Sequence, residues 1–212
     1  MVQMGPHGPE ALAELTPPVL GLTGAIAAGK SAAGDLLGSM GCVVSRSDQH
    51  AHEVLRDPEV VKSLVGWWGD GVLDEEGGVA RTAVAERVFA NPEERIRLEA
   101  LVHPKISLLR EACFHQATAA TRALVIEAPL LFEAKMDRQC AQTIFIDAAR
   151  PIRLARAAGR GWSVEEIDRR ESAQWPLDVK RKKADHIIQN EGSLDELCLQ
   201  LETVLLHLIA SE

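Results

Sequence analysis

The chain has 212 residues, 46% of them hydrophobic, which is enough apolar side chain for one domain with insertions. Its 31 acidic and 23 basic residues are spread along the sequence and leave a net charge of -8, which argues against binding nucleic acid through bulk electrostatics. No apolar run approaches the ~18 to 20 residues that cross a bilayer. The four cysteines, Cys42, Cys113, Cys140 and Cys198, lie far apart with no CxxC spacing, so neither a zinc site nor a disulfide framework is expected. A cytoplasmic protein with reduced thiols, and with neither membrane nor nucleic-acid partner, fits best.

Residues 1–18, MVQMGPHGPEALAELTPP, lack the basic start and long apolar core of a signal peptide and carry Pro and Gly near both ends; a flexible N-terminal extension is expected. Short aliphatic and β-branched runs follow at 19–23, 42–45, 123–128, 143–147 and 186–189, with helical patterns between them. That alternation predicts an α/β fold built on a parallel five-stranded sheet covered by helices. The first helix is expected from Lys30 to Met40, stopped by Gly41. The mostly helical stretch between the second and third strands is far longer than a βαβ crossover requires, which implies a helical substrate-binding insertion over residues 50–117. Within it Asn91-Pro92-Glu93-Glu94 writes a helix start, and Trp67 and Trp68 read as packing residues.

Residues 151–178, rich in arginine and ending near Trp175-Pro176, have the character of a mobile lid. Ser163 and Ser193 each precede a glutamate by three residues, the capping-box spacing. Lys180, Arg181, Lys182 and Lys183 form one basic run, for which a solvated face is the default. The last helix places Leu194, Leu197, Leu201, Val204, Leu205 and Leu208 on a single apolar stripe. Residues 19–49, 118–150 and 179–212 then make up a nucleotide-binding core.

Gly24-Ala25-Ile26-Ala27-Ala28-Gly29-Lys30-Ser31 matches GxxxxGK[ST], with a strand before it and a helix after it. The two glycines let successive N–H groups turn toward phosphate oxygens, and the helix N-terminus adds its positive end. Lys30 would reach the β- and γ-phosphates of a nucleoside triphosphate, and the Ser31 hydroxyl would bind magnesium. Asp48 follows the second strand at the edge where parallel sheets put their ligands. It is either an N-cap of the next helix or a general base for a substrate hydroxyl. His50 and His52 lie two apart on a helix and point to different sides, so a metal cluster with Asp48 is not expected.

The segments LGLTGAIAAGKS, SDQHAHEVL, LVHPKI, VIEAPLLFE, LARAAGRGWS and ESAQWPLDVKRKKADHIIQNEGSL, taken in order, resemble the dephospho-coenzyme A kinase family across about residues 19–208. The resemblance implies a P-loop NTPase-type fold that uses ATP and Mg2+ to phosphorylate the ribose 3'-hydroxyl of dephospho-CoA. By the same resemblance Gly24, Ala25, Ile26, Ala27, Ala28, Gly29, Lys30, Ser31 and Ala32 would cradle ATP, with Ser31 on the metal and Asn190 near the adenine. Asp48 would orient or deprotonate the acceptor hydroxyl. Lys30, Arg156 and Arg160 would stabilise the transferred group, and His103, Pro129 and Leu130 would line the acceptor site with Asp48.

Simpler roles stand beside these. Arg156 and Arg160, one helical turn apart, also fit a solvated basic face paired with Glu165 or Glu166. His103-Pro104 also fits a helix end with a buried histidine, Asn190 an ordinary turn, and Glu133 a structural position. The sequence departs from the family at Ala25 and Ala27, where glycine is frequent, and at Ala32, where a second hydroxyl is usual. Arg46 stands in place of the first of two aspartates, and Glu127 in place of an aspartate. Arg46 and the alanines prompt an alternative, a nucleotide-binding protein with little catalysis. Another small-molecule P-loop kinase is the second. The oligomeric state is not fixed by the sequence.

Overall fold

The computed structural model describes residues 17–210, so the extension expected over residues 1–18 falls almost wholly outside the described residues. Five strands, β1 (Val19–Gly24), β2 (Val43–Arg46), β3 (Leu124–Glu127), β4 (Gln142–Asp147) and β5 (His186–Gln189), form one sheet in the order β2-β3-β1-β4-β5, and all four pairings are parallel. β1 and β4 are buried along nearly their whole length, which is why they read as unbroken apolar runs rather than as alternating ones.

Helices α1 (Lys30–Ser39) and α9 (Leu194–Ala210) cover one side of the sheet, where Leu22, Leu37, Val125, Ile188, Leu201 and Leu205 share a core. Side chains alternate along a strand. Ile126, next to Val125, therefore points the other way, into a second cluster with Leu131, Phe132 and Phe114. The α9 stripe buries Leu197, Leu201, Val204, Leu205 and Leu208, but Leu194 is 63% exposed. It opens the helix, beyond the sheet's cover, and the turn there is held by polar bonds instead. The Ser193 Oγ accepts from Glu196 N at 3.2 Å, and Glu196 Oε2 accepts from Ser193 N at 3.1 Å.

Between β2 and β3 lie α2 (Ser47–Val54), α3 (Pro58–Trp68), α4 (Arg81–Ala90) and α5 (Pro92–Phe114). They bury a core of their own around Val54, Val60, Leu64, Val72, Val84 and Ile106. Asn91 caps α5 by accepting from Glu93 N at 2.9 Å. Trp67 and Trp68 pack edge to face at 5.9 Å, Trp68 Nε1 donates to Glu94 at 2.8 Å, and Arg97 stacks 3.9 Å above Trp67, so both tryptophans serve packing. α5 returns along β2, where Cys113 Sγ donates to Val44 O at 3.6 Å. Helices α6 (Arg150–Ala158), α7 (Val164–Ser172) and α8 (Leu177–Lys183) connect β4 to β5.

Candidate active site

The carboxyl ends of the parallel strands meet at the loop between β1 and α1. Gly24 is required by close approach: a Cβ there would lie 2.5 Å from Ile146 O, the carbonyl that also accepts from Ala25 N at 3.0 Å. Gly29 has φ +99°, and a Cβ on it would meet the Asn190 amide at 2.2 Å. Ala27 is an alanine held at φ +60°. The left-handed region costs an L-residue roughly 1–2 kcal/mol, partly offset by the greater unfolded-state entropy of glycine. Ala27→Gly is therefore expected to raise unfolding free energy by up to about 1 kcal/mol. Urea denaturation checks this, and a lower midpoint would show that the alanine Cβ makes contacts worth more than the strain.

The carbonyls of the loop are held from behind. Asn190 Nδ2 and Arg156 Nη1 both donate to Ala28 O, at 2.7 and 3.2 Å, and Arg153 Nη1 donates to Ile26 O at 3.2 Å. Among the described residues no acceptor takes the N–H groups of Ile26, Ala27 or Gly29. With the unbonded first-turn N–H groups of α1 they form a cradle for an anion.

Beside the loop, Lys30 Nζ pairs with Glu127 Oε1 at 3.0 Å. Glu127 is buried at the end of β3, and Arg46, its register partner on β2, places Nη1 3.3 Å from Oε2. That approach is not aligned for a hydrogen bond, and Oε2 is left buried with none. Arg46 also donates to Asp35 Oδ1 at 2.5 Å, so the arginine that stands where an aspartate was expected is answered by two carboxylates. A Cβ on Gly34 would lie 2.6 Å from Glu127 Oε2, so this glycine makes room for the longer acid.

Asp48 is the second residue of α2, exposed, with no bond to another described residue. The N-cap position is taken by Arg46 without a side-chain cap bond, which rules out the capping role for Asp48. His50, one half-turn on, shares a hydrogen bond of 3.0 Å with Ser45 Oγ.

Several expectations need correction. Arg160 does not share a helix face with Arg156, because α6 ends at Ala158 and Arg160 sits in the following turn, exposed. Neither pairs with Glu165 or Glu166; Glu166 is taken by Arg169 and Arg170 within α7. His103-Pro104 does not end a helix. α5 runs through it, with His103 exposed, and the carbonyl of Ala100, which loses its partner at Pro104, lies on an exposed residue that water can reach. Pro129 is half-buried and Leu130 is 43% exposed, whereas Leu131 belongs to the core.

The basic run is a solvated face only in part: Lys182 is exposed, and the other three are held by partners. Lys180 is fully buried, with Glu133 Oε1 at 2.7 Å, Gln174 Oε1 at 2.8 Å and Pro129 O at 2.9 Å; Glu133 also accepts from Trp175 N at 2.8 Å. Arg181 makes a two-pronged pair with Asp147 at 2.6 and 3.0 Å, and Lys183 pairs with Asp137 at 2.6 Å. Sequence reasoning missed Arg153 altogether. It is buried, donates to Ala148 O at 3.1 Å as well as to Ile26 O, and pairs with Glu171 of α7, a partner too distant in sequence for any local spacing to reveal.

A phosphate cradle, a lysine at its mouth, arginines behind it and a free carboxylate two strands over are the parts of a phosphoryl-transfer site. Comparison with known proteins gives the same direction. The family model described as dephospho-CoA kinase matches residues 18–196. The dephospho-CoA kinase of Chlorobaculum tepidum is 37% identical over 91% of this chain and 96% of its own length. The crystal structure of TT1252 from Thermus thermophilus is 34% identical with a TM-score of 0.80, covering 90% of this chain and 97% of that one. Dephospho-CoA kinase from Campylobacter jejuni is 27% identical with a TM-score of 0.64, covering 91% of this chain and 98% of that one. With the family model spanning most of its length, this chain belongs to the dephospho-CoA kinase family.

Proposed function

We propose that this chain carries out the family's reaction, ATP-dependent phosphorylation of dephospho-CoA in coenzyme A biosynthesis in the cytoplasm, through the residues gathered at the sheet edge. The observation that carries the reading is Asp48: a carboxylate without a partner among the described residues just after β2, at the same edge of the sheet as a loop in which the N–H groups of Ile26, Ala27 and Gly29 are free. Asp48 takes the proton of the ribose 3'-hydroxyl as its oxygen bonds to the γ-phosphorus, and the bond from that phosphorus to the bridging oxygen breaks to release ADP. Residues 24–32 hold the triphosphate, Lys30 neutralises its outer phosphates, and Arg156 and Arg160 stabilise the group in flight. Asn190 supports the loop from behind through Ala28 O. This supporting position favours a role in shaping the cradle beside any contact with adenine.

The residues present fit a magnesium ion. Ser31 offers an exposed hydroxyl at the start of α1, next to the free N–H groups of the loop, whereas Glu127 is already committed to Lys30 and Arg46. Ser31 would hold the ion, which when bound supplies charge neutralisation at the phosphates. The helices of residues 50–117 would receive the acceptor, with His103, Pro129 and Leu130 around it, and residues 151–178 would form the lid. α8 straddles the end of that range and is pinned through Lys180, Arg181 and Lys183, so motion belongs to the part before it. A nucleotide-binding protein with little catalysis is disfavoured because Arg46 is locally neutralised by Asp35 and Glu127.

The test is ADP formation with ATP and magnesium, comparing dephospho-CoA with adenosine, AMP and no acceptor. ADP formation that depends on dephospho-CoA, with CoA identified by mass, is the expected result. Turnover with another acceptor alone would discard the substrate, and ATP binding without turnover would leave a nucleotide-binding protein.

A further inference from the structure

Among the buried basic side chains Arg110, Arg153 and Lys180, the last two each face a carboxylate, Glu171 and Glu133 respectively. Arg110, on α5, does not. It is 8% exposed, its Nη2 donates to Ser107 Oγ at 3.3 Å, its Nη1 reaches the Met136 thioether at 3.9 Å, and it makes no ion pair with a described residue. An arginine cannot shed its charge, and its fork of five N–H donors is met here by one hydroxyl and one weak sulfur acceptor. A buried charge held without a counter-charge has either been paid for elsewhere or awaits an anion.

Its location says which anion. Cys113 of α5 bonds to Val44, and α5 packs along β2, so Arg110, nearly one turn earlier in the helix, lies toward the carboxyl end of that strand. There it is close enough to His50 of α2, two residues past Asp48, to help burial hold that imidazole below its usual pKa against the opposing pull of Glu53. Met136 follows the segment that carries Pro129 and Leu130. Arg110 is therefore bordered by α2, the helix that carries Asp48, by β2, and by the chain beyond β3. The phosphates of ATP already have the loop, Lys30 and Arg156 on the far side of β3.

We propose that Arg110 binds a phosphate oxygen of the acceptor, and so fixes the ribose against Asp48. In dephospho-CoA the diphosphate hangs from the same ribose that carries the reacting hydroxyl, so an anion site packed against the helix that carries Asp48 sets the reach of that hydroxyl. A phosphate offers the fork two parallel charge-assisted bonds that Ser107 and Met136 do not. The assignment rests on the reaction proposed above.

Arg110→Met and Arg110→Lys, compared with the unaltered chain, test it through KM for dephospho-CoA, the dissociation constant of ATP and the thermal midpoint. Arg110→Met is expected to raise KM for dephospho-CoA about 10- to 100-fold, the scale of charge-assisted hydrogen bonds. ATP binding should stay within about twofold, and the thermal midpoint should not fall, since an uncompensated buried charge has been replaced by an apolar side chain. Arg110→Lys, which keeps the charge but not the fork, should give an intermediate KM. An unchanged KM in both variants, with the unaltered chain turning over dephospho-CoA, overturns the role of Arg110 alone. So does a lower midpoint with unchanged KM, the mark of a packing role, and so does an equal loss of ATP affinity, which would assign the arginine to the nucleotide. An unaltered chain inert toward dephospho-CoA overturns the reaction and the assignment together.

Discussion

Asp48→Asn will slow turnover of dephospho-CoA by ~10²-fold or more while leaving ATP affinity nearly intact, the scale of losing a positioned general base. The substitution keeps size and shape and removes the capacity to accept a proton. Because the Asp48 carboxylate is exposed and bonds no other described residue, the change breaks no support within the fold, and α2 keeps its start at Ser47 without a side-chain cap. The nucleotide cradle is made by other residues, so binding and chemistry should separate cleanly. Steady-state kcat with saturating substrates and an independent ATP titration decide the matter. Turnover equal to that of the unaltered chain would remove Asp48 from the mechanism.

Lys180→Met will lower unfolding free energy by about 3–5 kcal/mol, the usual cost of removing one member of a buried ion pair. Against a total of roughly 5–15 kcal/mol for a domain, that is a large share. The loss comes from what remains. Glu133 keeps only the Trp175 N–H on Oε1, while Oε2 is already buried without a partner, and Pro129 O and the Gln174 carbonyl each lose a donor. Urea denaturation would read the change as a lower midpoint. The double variant Lys180→Met/Glu133→Gln should recover part of it, because the stranded charge goes with the carboxylate. A midpoint within ~0.5 kcal/mol of the unaltered chain in the single variant would mean that water replaces the ammonium and that the pair is not sealed.

What the sequence disclosed and what it concealed divide along the range of the interactions. The strands were legible because a doubly covered parallel sheet buries whole runs of β-branched and aliphatic residues. The starts of α5, α7 and α9 were legible because a cap satisfies groups two or three residues away, as Asn91, Ser163 and Ser193 do. Gly24 and Gly29 announced the loop because its shape excludes a Cβ at both places. The fate of Lys180 could not be read in this way. Its neighbours in sequence are basic, and its partners Pro129 and Glu133 arrive from the segment after β3. Arg46 looked like a defect for the same reason, since Asp35 and Glu127 come to it from α1 and β3. His103 misled in another way: a proline ordinarily ends a helix, and α5 absorbs Pro104 because the carbonyl it orphans belongs to an exposed residue, Ala100.

The hold on Ala28 has a consequence for how the protein is made. Arg156 reaches that carbonyl across 128 residues and Asn190 across 162, although the loop itself is complete once Ser31 has been added. A nascent chain still lacking α6 and β5 carries the whole phosphate motif yet has nothing to fasten the back of the loop, and one lacking β5 alone still misses Asn190, so ATP has no finished cradle to stabilise during most of synthesis. Competence to bind nucleotide comes only as translation nears its end, and cellular ATP then favours chains whose sheet has closed.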